Sequence, residues 1–229
     1  MFGYERTDDR LTLIGDDVRW LSNGVGGGYE RSDAAHNLTV PEGFDRTDLT
    51  DYVAERLGER PAGPTLLTGV SQSHARCARA GTVEAVVTAG VSNPATLSVP
   101  GSSTIDAPNR PDGGFEPGTV NVFVGTTRTL PDSGLAELLA TAVEAKTATL
   151  LETVGCTGTT SDAVAVGCVP DGDPAPFAGS ATPVGNAARV CVRDALCAAL
   201  DSRYGGSPPD PVTTAEGAET TGAATVFRP

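Results

Sequence analysis

The sequence predicts an α/β fold of α+β-like character: a single domain, with a mixed β-sheet and helices packed on it. Three observations predict it. The 229 residues are enough for one large core and few for two. Runs rich in β-branched residues outnumber the helical patterns. Strands and helices alternate only in part, which argues against a regular strand–helix–strand series and for one sheet covered by helices.

The elements follow in order. LTLIGDDVRWLS (11–22) reads as two short strands about a Gly-Asp-Asp turn. LSNGVGGG (21–28) then places Gly24, Gly26, Gly27 and Gly28 within five positions. AHNLTV (35–40) is a strand. Residues 47–57 carry Leu49, Val53 and Leu57 at helical spacing, with Asp48 and Asp51 early and Gly58 placed as a stop. TLLTGV (65–70) and TVEAVVTAGV (82–91) are central strands, with a short helix expected over 72–80. Residues 98–117 are rich in Pro, Gly, Asn and Asp and read as a surface loop. TVNVFV (119–124) alternates as a strand does. Ser133 is a good N-cap for a helix reaching Val154, which Gly155 stops. CTGTTSD (156–162) is a polar turn, AVAVGCV (163–169) a strand, and 186–204 the last helix. The domain is expected to span 1–204, and the Pro- and Thr-rich tail, 205–229, to be disordered.

Charge narrows the partners. There are 29 acids against 16 bases, a formal charge of −13, which repels nucleic acid and anionic membranes. Lys146 is the only lysine; the other fifteen bases are arginine. Acid enrichment with lysine avoidance suits concentrated salt, where the Debye length falls to about 3 Å at 1 M. A GC-rich genome would favour arginine as well. No apolar run reaches the roughly eighteen residues of a membrane span. The charged start, MFGYERTDDR, lacks the apolar stretch of a secretory signal, so a cytoplasmic protein is expected. Cys77, Cys156, Cys168, Cys191 and Cys197 are odd in number and include no Cys-x-x-Cys pair, so reduced thiols are expected. Oligomeric state is left open.

Several familiar motifs fail. The glycine loop would need its third glycine at 29, which is Tyr29, and no helix opens there to receive a pyrophosphate. No Gly-Lys-Ser/Thr follows, so it is not a P-loop. GVSQS (69–73) nearly matches a nucleophile elbow but ends in Ser73, and the last histidine, His74, stands only three residues past Ser71. His36 and His74 lack metal-site spacing, so no metal site is evident, although a carboxylate-held Mg²⁺ stays open.

Other features survive. On the helix from Ser133, Leu135, Leu138, Leu139, Ala142, Thr149 and Leu150 share one face, and Lys146 falls near its centre with Glu144 opposite. Such a lysine either snorkels to water or serves an anion at a pocket floor. TGTTSD (157–162) groups Thr157, Thr159, Thr160 and Ser161 with Asp162 at a strand mouth; it is either a self-satisfied turn or a site. Asn23 and Asn93 sit in turns. Asn121 sits inside a strand, where asparagine is disfavoured.

LSNGVGGG (21–28), TAGVSNPA (88–95), GTVNVFV (118–124), EAKTATL (144–150), TGTTSDAVAV (157–166) and FAGSATPVG (177–185) together resemble the adenosylcobinamide amidohydrolase family of corrinoid salvage. The segments stand in the family's order across most of 18–200. Ser161 replaces an expected threonine and keeps its hydroxyl; Pro94 interrupts an expected Asn-Ala step. The acid-rich, lysine-poor composition adds the expectation of a haloarchaeal source. It implies hydrolysis of the amide joining the corrin propionate arm to aminopropanol, giving adenosylcobyric acid. The corrinoid is then substrate rather than cofactor. The glycine loop, Asn23, Asn93 and Asn121 are expected to bind it. Hydrolysis needs an activated nucleophile, oxyanion donors and an acid for the leaving amine. Asp162 is the expected base, with Glu144 as alternative. Lys146 and the N–H groups near Gly26–Gly28 would hold the oxyanion. Thr157, Thr159 or Ser161 would attack or orient water. A non-catalytic corrinoid-binding module and a thiol hydrolase built on Cys156 are the competing readings.

Overall fold

The structure is a computed structural model and describes residues 1–58, 62–97, 118–206, 217–220 and 224–228. The loop expected over 98–117 lies outside the described residues.

β2 (Arg10–Ser22) and β3 (Gly28–Thr39) form a long antiparallel hairpin. The Gly-Asp-Asp segment does not divide β2 into two strands. It is a bulge: the register slips between Ile14 and Val18, and Asp17 sits at φ 45°. An inserted bulge lets Leu13 and Trp20 both stay buried on the inner face. β1 (Gly3–Arg6) pairs with β2, and Phe2 just before it stacks on Trp20 with ring centroids 5.4 Å apart. β4 (Thr65–Thr68) adds parallel to β3. Between them α1 (Leu49–Leu57) buries Tyr52 and Val53 with Leu38 and Val40, and Gly58 ends it in the left-handed region.

The short helix expected over 72–80 is mostly strand. Only Gln72–His74 make a 3₁₀ turn; Arg76–Ala80 is β5, an edge strand antiparallel to β6 (Val83–Ala89). Its Arg and Ala residues favour helix locally, but pairing with β6 overrides that preference. β7 (Pro94–Leu97) stands apart from the main sheet, and β8 (Val120–Thr126) lies at its centre. α2 (Asp132–Val154) starts one residue before Ser133, with Pro131 at the cap position. β9 (Gly158–Thr159) is a two-residue strand, and β10 (Ala163–Cys168) returns to the centre of the sheet. α3 (Pro183–Tyr204) starts earlier than expected because Thr182 caps it, accepting from the Gly185 N–H at 3.0 Å, and proline suits the first helical position.

The main sheet runs β4-β3-β2-β10-β8-β6-β5, with β1 off β2. β8 and β10 are parallel, joined by the α2 crossover; their other pairings in the sheet are antiparallel, so the sheet is mixed. α2 and α3 cover one face, burying Val120, Val122 and Val124 of β8 with Leu135, Leu138 and Leu196. Period-two alternation turns Asn121 and Phe123 to the other face. There Leu13, Trp20, Leu66, Val86 and Phe123 form a second core. The sheet curls over this core until β4 meets β8, where the Asn121 Nδ2 donates to the Leu67 carbonyl at 3.0 Å.

A second small sheet has the order β11-β7-β9, where β11 is Ala218–Thr220. These three tail residues pair parallel with β7, a departure from the disorder expected over 205–229. Backbone pairing with the β7 edge orders them where composition gives no signal. The surrounding 207–216 and 221–223 lie outside the described residues. Among the described residues, no helix is long and apolar enough to cross a membrane.

Candidate active site

The turn from α2 into β10 builds the charged centre. Gly155 ends α2 in the left-handed region, and residues 156–162 fold back under the helix. Lys146, only 5% exposed, points from α2 into this turn and donates to the Asp162 Oδ2. The lysine on the apolar face does not snorkel; it ends on a carboxylate. Gly158 leaves the room this requires, because a Cβ there would lie 2.6 Å from Asp162 Oδ2 and 2.9 Å from Lys146 Nζ.

Asp162 accepts more than the lysine. The Thr159 N–H donates to Oδ2 at 3.1 Å. The Thr159 hydroxyl and the Val120 N–H donate to Oδ1, the latter at 3.0 Å. Four donors fill about the four acceptor sites a carboxylate offers. A buried pair with its lone pairs satisfied is the arrangement that offsets the cost of desolvating both charges.

Beside Asp162 opens a cleft of about 450 Å³, within the range of small-molecule sites. Asn23, Asn93, Thr119, Ser161 and Asp162 form a polar wall; Val25, Val40, Phe44, Leu49 and Leu67 form an apolar one. Ser161 and Thr119 hydroxyls stand 2.8 Å apart. Asn93 donates from Nδ2 to the Thr160 hydroxyl at 2.6 Å, and its backbone carbonyl accepts from the Thr160 N–H. The Asn93 Oδ1 and the neighbouring Ser92 Oγ are buried without partners among the described residues, both facing Gly118 on the cleft wall. Asn23 extends the β10 ladder: its Oδ1 accepts from the Val164 N–H at 2.7 Å and its own N–H donates to the Val164 carbonyl at 3.2 Å.

Several predicted residues lie elsewhere. Glu144 is exposed on the far side of α2, paired with Arg189, and does not reach the turn. Thr157 faces β7, where its hydroxyl and N–H both donate to the Ala95 carbonyl at 2.8 and 2.9 Å. The glycine loop is a tight hairpin connection in which several backbone N–H groups are already committed. The Gly24 N–H donates to Ser22 Oγ, Val25 N–H to Thr65 O and Gly27 N–H to Gly24 O. Gly24 alone of the four glycines lines the cleft, and it packs so close to β4 that a Cβ would meet Leu66 Cδ2 at 2.4 Å. Gly26 and Gly28 are required by positive φ, 68° and 128°. Asn121 lies beneath the cleft floor, donating to Leu67 O and to Asn37 Oδ1; Asn37 in turn donates to Gln72 and Thr88. Sequence reasoning missed Thr119, Phe44 and Arg46 at the cleft and Gln72 below it.

Cys156 is buried, and that burial pushes its thiol above the ordinary range. A thiol held protonated is a poor nucleophile. Among the described residues, no group of three or more His, Cys, Asp and Glu stands close enough to hold a metal.

A family model described as adenosylcobinamide amidohydrolase matches residues 7–208. A Halobacterium salinarum protein named adenosylcobinamide amidohydrolase is 48% identical over the full length of both chains. The chain belongs to the adenosylcobinamide amidohydrolase family. A second protein of that name, from Methanosarcina mazei, is 27% identical over 85% of this chain and 96% of its own. Solved structures are more distant. A Pyrococcus horikoshii OT3 protein matches at TM-score 0.46 and 12% identity, covering 83% of this chain and 76% of that one. An L-aminopeptidase D-Ala-esterase/amidase from Ochrobactrum anthropi matches at 0.42 and 12%, covering 88% and 83%. The match to the amidohydrolase family spans every segment of the cleft described above, from Asn23 to Ala163. The acidic, lysine-poor composition accords with the Halobacterium relative.

Proposed function

We propose that this chain hydrolyses the amide between the corrin propionate arm and aminopropanol of adenosylcobinamide, giving adenosylcobyric acid for cobamide salvage. The observation that carries the reading is one cleft into which four separate family segments bring Asn23, Asn93, Thr119 and the Ser161–Asp162 pair, against the Lys146 charge. The cleft is small for a corrin macrocycle, so it takes the amide arm while the ring lies across its mouth.

In the reaction the C–N bond breaks, water's oxygen joins the acyl carbon, and the amine leaves with a proton. The Thr159 hydroxyl already donates to Asp162, the nucleophile–acceptor contact that such catalysis requires. Asp162 takes that proton, or the proton of a water that displaces the Thr159 hydroxyl from Oδ1. Lys146 commits one of its three N–H donors to Asp162. The other two serve the oxyanion, together with the Ser161 and Thr119 hydroxyls. The Asn93 Oδ1, unpartnered among the described residues, accepts an N–H of the arm. Five free thiols support a reducing, cytoplasmic setting.

Mass spectrometry of the protein incubated with adenosylcobinamide in molar KCl, with and without EDTA, tests this. Adenosylcobyric acid and aminopropanol are expected in both arms. Unchanged substrate with a shifted corrin spectrum would replace the enzyme with a binding module. No product and no binding would refute both.

A further inference from the structure

We propose that a second, smaller cavity behind the apolar wall of the cleft is a subsite for a small amino alcohol, and that it receives the aminopropanol released by hydrolysis. The inference rests on the proposed reaction for the identity of the amino alcohol, and goes beyond it in assigning a place to the leaving group. The cavity holds about 180 Å³, and its walls include Val25, Glu30, Thr50, Val53, Gly63 and Thr65. That is below the roughly 300–1,000 Å³ of sites for drug-sized ligands and suits a fragment. Three elements supply walls to both cavities. Val25 lines both. On β4, Thr65 lines the small cavity and Leu67 the cleft; residues two apart share a strand face and stand about 7 Å apart. On α1, Leu49 lines the cleft, and Thr50 and Val53 the small cavity.

Two polar groups in the small cavity lack what their surroundings call for. Thr65 is 1% exposed, and its hydroxyl has no hydrogen-bond partner among the described residues. A buried hydroxyl left unpaired is costly, and a ligand that bonds to it recovers that cost. Glu30 accepts from the Gly63 N–H at 3.2 Å. Burial holds its carboxyl above the ordinary range, and no cation among the described residues offsets this. The unmet needs are a cation for a carboxylate and a hydrogen bond for a hydroxyl, beside the apolar Val25 and Val53. Aminopropanol meets all three. Its aliphatic amine is charged at neutral pH and pairs with Glu30. Its hydroxyl meets the Thr65 and Thr50 hydroxyls, each able to donate and accept. Its methyl group lies against the valines. An amine kept protonated beside a carboxylate has no lone pair to attack the acyl carbon again, so the subsite opposes recapture of the acyl group.

The test is calorimetric titration of the full chain with aminopropanol in molar KCl, without corrinoid, beside isopropanol and propylamine. A Kd of about 1–10 mM is expected for aminopropanol. Isopropanol lacks the ammonium and propylamine the hydroxyl, and each should bind at least about fivefold more weakly. Glu30→Gln should weaken aminopropanol at least about tenfold. Thr65→Val should weaken it at least about threefold and, because it removes an unpaired buried hydroxyl, should unfold in urea no earlier than the unaltered protein. That second measurement separates a lost contact from a damaged fold. No binding up to about 100 mM, binding that both variants leave in place, or propylamine held as tightly as aminopropanol overturns the inference. Turnover is read separately by mass spectrometry. Hydrolysis of adenosylcobinamide without aminopropanol binding would overturn this inference alone. Aminopropanol bound as expected, with adenosylcobinamide left intact, would refute the hydrolytic reading while the amino-alcohol site stands.

Discussion

Lys146→Met and Asp162→Asn, made singly and together, measure the pair on which the site is built. Breaking a buried ion pair by removing one partner costs about 3–5 kcal/mol, because the other charge is left uncompensated. The two halves differ here. Without Lys146, Asp162 keeps three donors, from the Thr159 N–H and hydroxyl and the Val120 N–H, so the loss lies near about 3 kcal/mol. Without the carboxylate charge, the ammonium of a side chain that is 7% exposed loses its ionic partner, so the loss lies near about 5 kcal/mol. The double variant removes both charges, and its cost should fall short of the sum by about 2–3 kcal/mol. Urea unfolding in molar KCl, with m-values checked for constancy, gives all three numbers. Additivity within about 0.5 kcal/mol would mean that the two groups do not interact, and the account of the site would fail. Turnover separates a structural pair from a catalytic one. Each single variant should lose at least about 10²-fold in kcat, and the double should not recover it. A double variant restored to wild-type turnover would leave the pair a scaffold only.

Other perturbations follow from the same geometry. Gly24→Ala puts a Cβ 2.4 Å from Leu66 Cδ2 and 2.5 Å from the Thr65 carbonyl, which should cost about 1–3 kcal/mol in urea unfolding and impair turnover. Gly26→Ala meets open space at φ 68° and should cost only the left-handed penalty of about 1–2 kcal/mol with turnover kept; equal effects on turnover would contradict the placement of the cleft. Cys156→Ala should keep turnover, and iodoacetamide should react slowly with Cys156 in the native protein; loss of activity on alkylation at that site would revive a thiol mechanism. Burial, and then the Arg10 charge, hold the His36 imidazole below its ordinary value. The unfolded chain therefore takes up that proton first, so stability is complete above about pH 6.5 and declines as pH falls through that value toward the folded pKa. The urea midpoint should drop between pH 7.5 and 5.5, and His36→Gln should reduce the drop; an identical drop in the variant would remove His36 as its source.

Long, strongly patterned elements were legible in the sequence, as were residues that broke a pattern. Lys146 stood out because it was the only lysine and lay on an apolar face, and Asp162 because it closed a hydroxyl-rich turn at a strand mouth. Asn121 was anomalous inside a strand, but its purpose was hidden: its partners Asn37 and Leu67 come from β3 and β4 across the curled sheet. The glycine loop was hard to read because a run of glycines signals missing side chains without saying where the N–H groups go; here those of Gly24 and Gly27 turn back to Ser22 and Gly24, and that of Val25 reaches Thr65. Arg46 and Phe44 lie in a stretch without periodicity, so nothing local marked them. β1, β5, β7 and β9 are short or at edges, and pairing with distant segments rather than propensity makes them strands.

The small sheet ties Ala218–Thr220 to the chemical centre. β7 follows Asn93 directly, pairs on one side with Gly158 and Thr159, and on the other with Ala218–Thr220. During synthesis β7 has a bare edge until residue 220 has left the ribosome, some sixty residues after Thr159. Assembly of the site is thus coupled to a segment far downstream: a chain cut short before Ala218 retains every cleft residue and still lacks one flank of the strand beside Thr159.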